Sequence, residues 1–174
     1  MNQAFIDGQN LRYSTTHADK PWSVDLARLR IYLAQKYNVD RAYYFLGYQM
    51  ESQQFLYRKI QEAGYILLFR QHNAKMNSIK KGNVDTDIVF TIMQKIADRE
   101  KFDKIILVSG DGDYYKMVQY LIKKDKFGKL LAPNGKNMSS LYIDFSTKYY
   151  DFLNKPGIKS KIQYTKKNKK AGSA

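Results

Sequence analysis

Five aspartates stand where strand-like runs give way to loops or helices. Asp7 ends the run Gln3-Ala4-Phe5-Ile6. Asp85 and Asp87 open a helical pattern. Asp111 and Asp113 lie in Ser109-Gly110-Asp111-Gly112-Asp113, directly after Lys104-Ile105-Ile106-Leu107-Val108. Carboxylates brought from three segments to one edge of a sheet repel, and each raises its neighbours' proton affinity unless a cation lies among them. Oxygen-only donors suit Mg²⁺ or Mn²⁺, which leave much of their coordination to water and substrate phosphate. Such ions activate water and neutralise charge at a phosphodiester, so no histidine, cysteine or serine triad is required. His17 and His72 fall in loop-like segments and stay outside the catalytic set. The competing reading of each acid is a helix cap, since aspartate complements the amides and the dipole of a helix N-terminus. Only the recurrence at three junctions favours the metal site.

The elements that must position these acids alternate. Strands are expected over 3–7, 41–46, 65–70, 104–108 and 128–132. Between them Leu26, Leu29, Leu33 and Tyr37, then Phe55, Leu56, Ile60 and Ala63, then Val84, Ile88, Ile92 and Ile96, and finally Tyr114, Met117, Val118, Leu121 and Ile122 recur at helical spacing. A last helix is expected from Ser139 to about Leu153. Segments 11–20 and 71–82 read as loops, and the chain beyond Gly157 as a mobile basic arm. Alternating strands and helices predict an α/β fold with a parallel sheet covered on both faces. In such a sheet ligands bind beyond the carboxyl ends of the strands, where the strand order reverses. Asp7 and Asp111 meet if their strands are neighbours there.

The 174 residues fit one domain, residues 1–154, followed by a basic tail, 155–174. The formal net charge is +14, and the seven lysines of the tail, which holds no acid, supply half of it. A surface of this sign attracts polyanions. Cysteine is absent, which excludes disulfides and thiolate metal sites. No apolar run is long enough to span a bilayer, and no signal-peptide pattern opens the chain, so a soluble cytoplasmic protein is expected.

Three motifs carry a resemblance. Phe5-Ile6-Asp7-Gly8-Gln9-Asn10, Lys81-Gly82-Asn83-Val84-Asp85-Thr86-Asp87 and Val108-Ser109-Gly110-Asp111-Gly112-Asp113-Tyr114 resemble, in order and spacing, the motifs of the NYN domain family, the LabA-like branch of PIN-fold nucleases. The third is the most specific, and the likeness runs from about residue 3 to about 154. It implies a PIN-like three-layer α/β/α sandwich with a central, mainly parallel five-stranded sheet and a metal-dependent ribonuclease activity. By position, Asp7, Asp85, Asp111 and Asp113 are then the metal-binding and catalytic acids, with Asp87 in an outer shell. Asn10 holds the first loop or contacts substrate, and Ser109 steadies the third motif. Many relatives carry a further acid where this chain has Thr91, so a noncatalytic RNA-binding regulatory module on the same fold is the alternative. Pairing into a homodimer is compatible with the resemblance.

For the substrate, a single-stranded or flexible RNA, the basic residues nearest the motifs are Arg12, Arg70, Lys75, Lys80, Lys81 and Lys116. Tyr13, Tyr114 and Tyr115 are the rings that can stack on bases. Tyr114 falls on the core stripe of its helix and is expected to pack. Tyr115 lies off it and is the better stacking residue.

Overall fold

Short β-rich runs separated by amphipathic stretches build a single sheet with helices on both sides. The computed structural model describes residues 1–70 and 84–165. The strands are β1 (Asn2–Asp7), β2 (Val39–Leu46), β3 (Ile66–Phe69), β4 (Ile105–Val108), β5 (Phe127–Ala132) and β6 (Tyr150–Phe152). The helices are α1 (Gly8–Thr16), α2 (Leu26–Tyr37), α3 (Gln54–Glu62), α4 (Asp85–Ala97), α5 (Tyr115–Lys123) and α6 (Pro156–Ile162). The strand order is β3-β2-β1-β4-β5-β6, and every pairing is parallel.

Strand alternation divides the core in two. Ala4, Ile6 and Tyr44 face one layer, with Leu29 and Leu33 of α2 and Ile60 of α3. Phe5, Tyr43 and Phe45 face the other, with Ile88 and Ile92 of α4 and Val118 and Leu121 of α5. The order reverses between β1 and β4, which pair with Ile6 opposite Val108. The ends of these two strands, Asp7 and Ser109, are therefore neighbours.

Four expectations are corrected. The sheet has six strands, because Tyr150-Asp151-Phe152 pairs with Leu130–Ala132 instead of ending a helix. Segment 139–149 forms only 3-10 turns, and its alternating aromatics then favour the strand. The loop expected at 11–20 is largely α1, whose inward positions are Gly8, Leu11, Ser14 and Thr15. Small polar residues there hide the apolar periodicity. Finally, the chain does not become a free arm at Gly157: α6 packs on α2, Ile162 is fully buried, and Gln163 bridges to Val24. The rest of the basic tail, 166–174, and the expected loop at 71–82 lie outside the described residues.

Gly8 sets how closely the start of α1 approaches β2. A Cβ there would lie 2.3 Å from Tyr44 Cε1 and 2.7 Å from the Phe45 carbonyl oxygen. A backbone carbonyl cannot step aside as a flexible side chain can. Gly8→Ala is therefore expected to destabilise by about 1–3 kcal/mol, read as a lower urea midpoint with an unchanged m-value. A wild-type midpoint would show that α1 slides freely over β2.

Candidate active site

Asp7 is the last residue of β1 and shares the face of Phe5, so its carboxylate projects toward the α4 and α5 layer. It is 2% exposed. It also caps α1: Oδ1 accepts from the Asn10 amide at 2.9 Å. Oδ2 accepts from the Ser109 hydroxyl at 3.4 Å and lies 3.0 Å from the Tyr114 hydroxyl. Asn10 in turn accepts from the Gly110 amide at 3.0 Å, which ties the first motif to the third. Ser109 also accepts from the Asp111 amide at 3.2 Å, within the third motif.

The third motif leaves β4 through Ser109, which is fully buried, and Asp111 caps the short 3-10 turn Gly112–Tyr114 by accepting from the Asp113 amide at 3.1 Å. The 135–145 segment buttresses it from outside. Ser139 donates its amide to Gly110 O at 2.9 Å, and the Tyr142 hydroxyl donates to Asp111 O. A Cβ on Gly112 would lie 2.6 Å from Ser139 Oγ. Nothing in the sequence pattern pointed to this support.

Asp85 is the first residue of α4 and is 6% exposed. One oxygen each from Asp85, Asp111 and Asp113 lie within 4.8 Å of one another. At that spacing two unit charges repel by about 3 kcal/mol at an effective dielectric constant of about 20, less wherever water reaches them. Three helical N-termini, those of α1, α4 and the turn before α5, converge here and soften the repulsion with their dipoles. A hard dication bound by oxygen alone fits this donor set. Asp7 and Asp87 are not in the group of three. Asp7 stands behind it and lines the same hollow, of about 620 Å³, with Asp85 and Asp111. Asp87 sits two residues along α4 from Asp85, and such positions do not face each other; its Oδ2 is buried with no hydrogen-bond partner among the described residues. Thr91 supplies no acid either: its hydroxyl donates to Asp87 O at 2.7 Å.

Tyr114 is the functional residue that sequence reasoning missed. Its ring packs in the core as expected, fully buried, but its hydroxyl lies 2.7 Å from Asp85 Oδ1 as well as 3.0 Å from Asp7 Oδ2. One phenolic proton cannot serve two carboxylates at once. Both contacts are satisfied when one carboxyl carries a proton, and Asp7 is the group whose pKa burial pushes up, against the lowering effect of its hydrogen bonds. Burial first, then the two carboxylates, also raise the pKa of Tyr114, so it remains a donor.

This has a consequence for the chelated protein. A carboxyl that holds its proton more tightly when folded contributes stability that is full below its ordinary pKa of 3.8 and is lost as pH rises through the raised value. Asp7→Asn has no such proton to lose. In EDTA the wild-type Tm should therefore fall relative to that of Asp7→Asn as the pH rises above 3.8. A difference in Tm that does not change with pH would contradict the burial account of Asp7.

Of the residues expected to hold substrate, Arg12 lines the acid-lined hollow, as do Tyr13 and His17. Tyr13 is 61% exposed and stacks on His17 with ring centroids 4.3 Å apart. His17, set aside as a loop residue, is in fact the C-cap of α1 on the wall of the site. Tyr115 is half-buried on α5, and its ring stacks on Phe145 at 5.1 Å and 6°. Lys116 is exposed on α5 and lines no part of the hollow. Arg70 sits by Tyr48, its guanidinium 5.9 Å from the ring centroid. Lys75, Lys80 and Lys81 lie outside the described residues. No described helix is long and apolar enough to cross a membrane.

Comparison with known proteins agrees with this arrangement. Low amplitude and bright protein LabA of Synechococcus elongatus is 25% identical over 157 residues, covering 82% of each chain. The crystal structure of a protein of unknown function from Vibrio parahaemolyticus has the same fold, with a TM-score of 0.75 at 18% identity over 94% of this chain and 95% of that one. The model of the NYN domain matches residues 3–154, the span that carries all three acidic motifs. With that match the chain belongs to the NYN domain family, and its fold is a three-layer α/β/α sandwich with an all-parallel sheet whose strand-end acids converge.

Proposed function

We propose that this protein is a metal-dependent endoribonuclease that cuts single-stranded or flexible RNA at the acid-lined hollow. One observation carries the reading: carboxylates from α4 and from the β4–α5 turn, remote in sequence, lie within 4.8 Å of one another. Asp85, Asp111 and Asp113 are the residues that would hold Mg²⁺ or Mn²⁺. When bound, such an ion supplies Lewis acidity toward the phosphodiester and an activated water. Asp7 and Tyr114 fix Asp85 from behind through hydrogen bonds. Arg12, on the rim, attracts the RNA phosphate, and the exposed Tyr13 ring offers a stacking face for an unpaired base. The net charge of +14 draws the strand in.

The test is cleavage of end-labelled single-stranded RNA with Mn²⁺ or with EDTA. Products are expected with Mn²⁺, none with EDTA, and none from Asp85→Asn. Cleavage by the variant at the wild-type rate would remove the cluster from the reaction. A second reading, an RNA-binding module without cleavage, is favoured by Thr91, which is bonded back to its own helix where a further acid is common. RNA binding that persists in EDTA with no Mn²⁺-dependent products would select it.

A further inference from the structure

A second cavity, of about 670 Å³, opens on the other face of the sheet edge, between α1, the end of β2 and the chain entering α3. Tyr44 pairs in register with Ile6, so it projects to this side while Asp7 projects to the other. The walls are mainly apolar: Leu11, Leu26, Leu46, Leu56 and the rings of Tyr44 and Tyr57. Gln9, Arg12 and Thr16 line both this cavity and the acid-lined hollow. Their spacing of three and four residues puts them on one stripe of α1, so the two spaces meet along that stripe.

Two polar side chains line its walls. Tyr44 is 6% exposed and lines the cavity, yet its hydroxyl has no hydrogen-bond partner among the described residues. Burial raises its pKa, so it offers a proton at neutral pH. Arg12 is exposed and has no carboxylate partner among the described residues. Apolar walls with a few placed polar groups suit a flat organic ring of this size. A nucleobase has apolar faces and a polar edge, and it is joined to a phosphate that Arg12 can meet at the shared rim.

We propose that this cavity is a subsite for one unpaired nucleobase of the RNA strand, the nucleotide adjoining the phosphate in the acid-lined hollow. Tyr44 and Gln9 address the base edge, and Arg12 addresses the connecting phosphate. The placing of the strand rests on the nuclease reading above. A peptide or a second copy of the chain would cover the same apolar walls, but it would bring no phosphate to Arg12.

The test uses a short fluorescein-labelled single-stranded RNA and versions of it with an abasic residue at each position in turn. Binding is measured by anisotropy in EDTA, where no cleavage occurs. One abasic position should weaken binding about tenfold or more, beyond the loss at the other positions. In Leu56→Trp, which fills the cavity, that excess should vanish while affinity for the abasic strand stays the same. In Tyr44→Phe, which removes a hydroxyl with no internal partner and so should fold normally, the excess should shrink. An equal loss at every position, an excess that both variants leave intact, or no RNA binding at all overturns the proposal. A position-specific excess without Mn²⁺-dependent cleavage overturns the nuclease reading and leaves the subsite standing. Cleavage with uniform abasic losses does the reverse.

Discussion

Asp111→Asn is expected to lower both Mn²⁺ affinity and Mn²⁺-dependent cleavage by at least ~100-fold. Removing a partner that merely orients a metal ligand typically costs ~10–100-fold, and removing the charge of a ligand costs more. The substitution separates site from fold because asparagine caps helices about as well as aspartate. Its side-chain oxygen can still accept from the Asp113 amide, as Asp111 Oδ1 does at 3.1 Å. In chelator the variant should keep the wild-type Tm or exceed it, because repulsion with Asp85 and Asp113 is relieved. A clear loss of Tm in chelator, with Mn²⁺ affinity intact, would assign Asp111 to capping alone. Titration calorimetry and thermal melts on one preparation give both readings.

Tyr114→Phe should have the next largest effect, on stability and metal binding together. The ring is fully buried and phenylalanine fills the same space, so packing is retained. The lost hydroxyl is the shared partner of Asp7 Oδ2 and Asp85 Oδ1. Leaving a buried carboxylate short of a donor costs about 1–3 kcal/mol. That loss should appear as a lower urea midpoint in EDTA. Asp85 also loses a hydrogen bond that helps to orient it, so Mn²⁺ affinity should fall ~10–100-fold. Wild-type values in both measurements would mean that the phenol proton does not organise the pair.

Much of this site is legible in the sequence, for a specific reason. The runs before Asp7 and Ser109 are short, apolar and bounded by acids and glycines. In a parallel sheet such ends converge once the strand order reverses between them, and the pairing of β1 with β4 meets that condition. The stripe Val84, Ile88, Ile92 and Ile96 orients α4 so that Asp85 opens it at the same edge. What escaped was tertiary. Tyr114 reads as a core residue from periodicity, and it is one. Its second role arises only because residues 107 and 29 positions away bring carboxylates to its hydroxyl. Tyr115 reads as unpartnered because Phe145, which stacks on it, is thirty positions downstream in a segment read as helix. α1 was hidden because Gly8, Ser14 and Thr15 fill inward positions that usually hold apolar residues. With α1 unseen, His17 and the shared stripe of Gln9, Arg12 and Thr16 went unplaced. Asp87 shows the opposite case, where helical geometry alone separates it from Asp85 by two positions and about 200°.

The most direct measurement is anomalous diffraction from a crystal soaked in Mn²⁺. The account predicts a peak bounded by carboxylate oxygens of Asp85, Asp111 and Asp113, at coordination distances of about 2.0–2.2 Å. A fully soaked crystal with no peak between these side chains, or with Mn²⁺ bound only elsewhere, would contradict it.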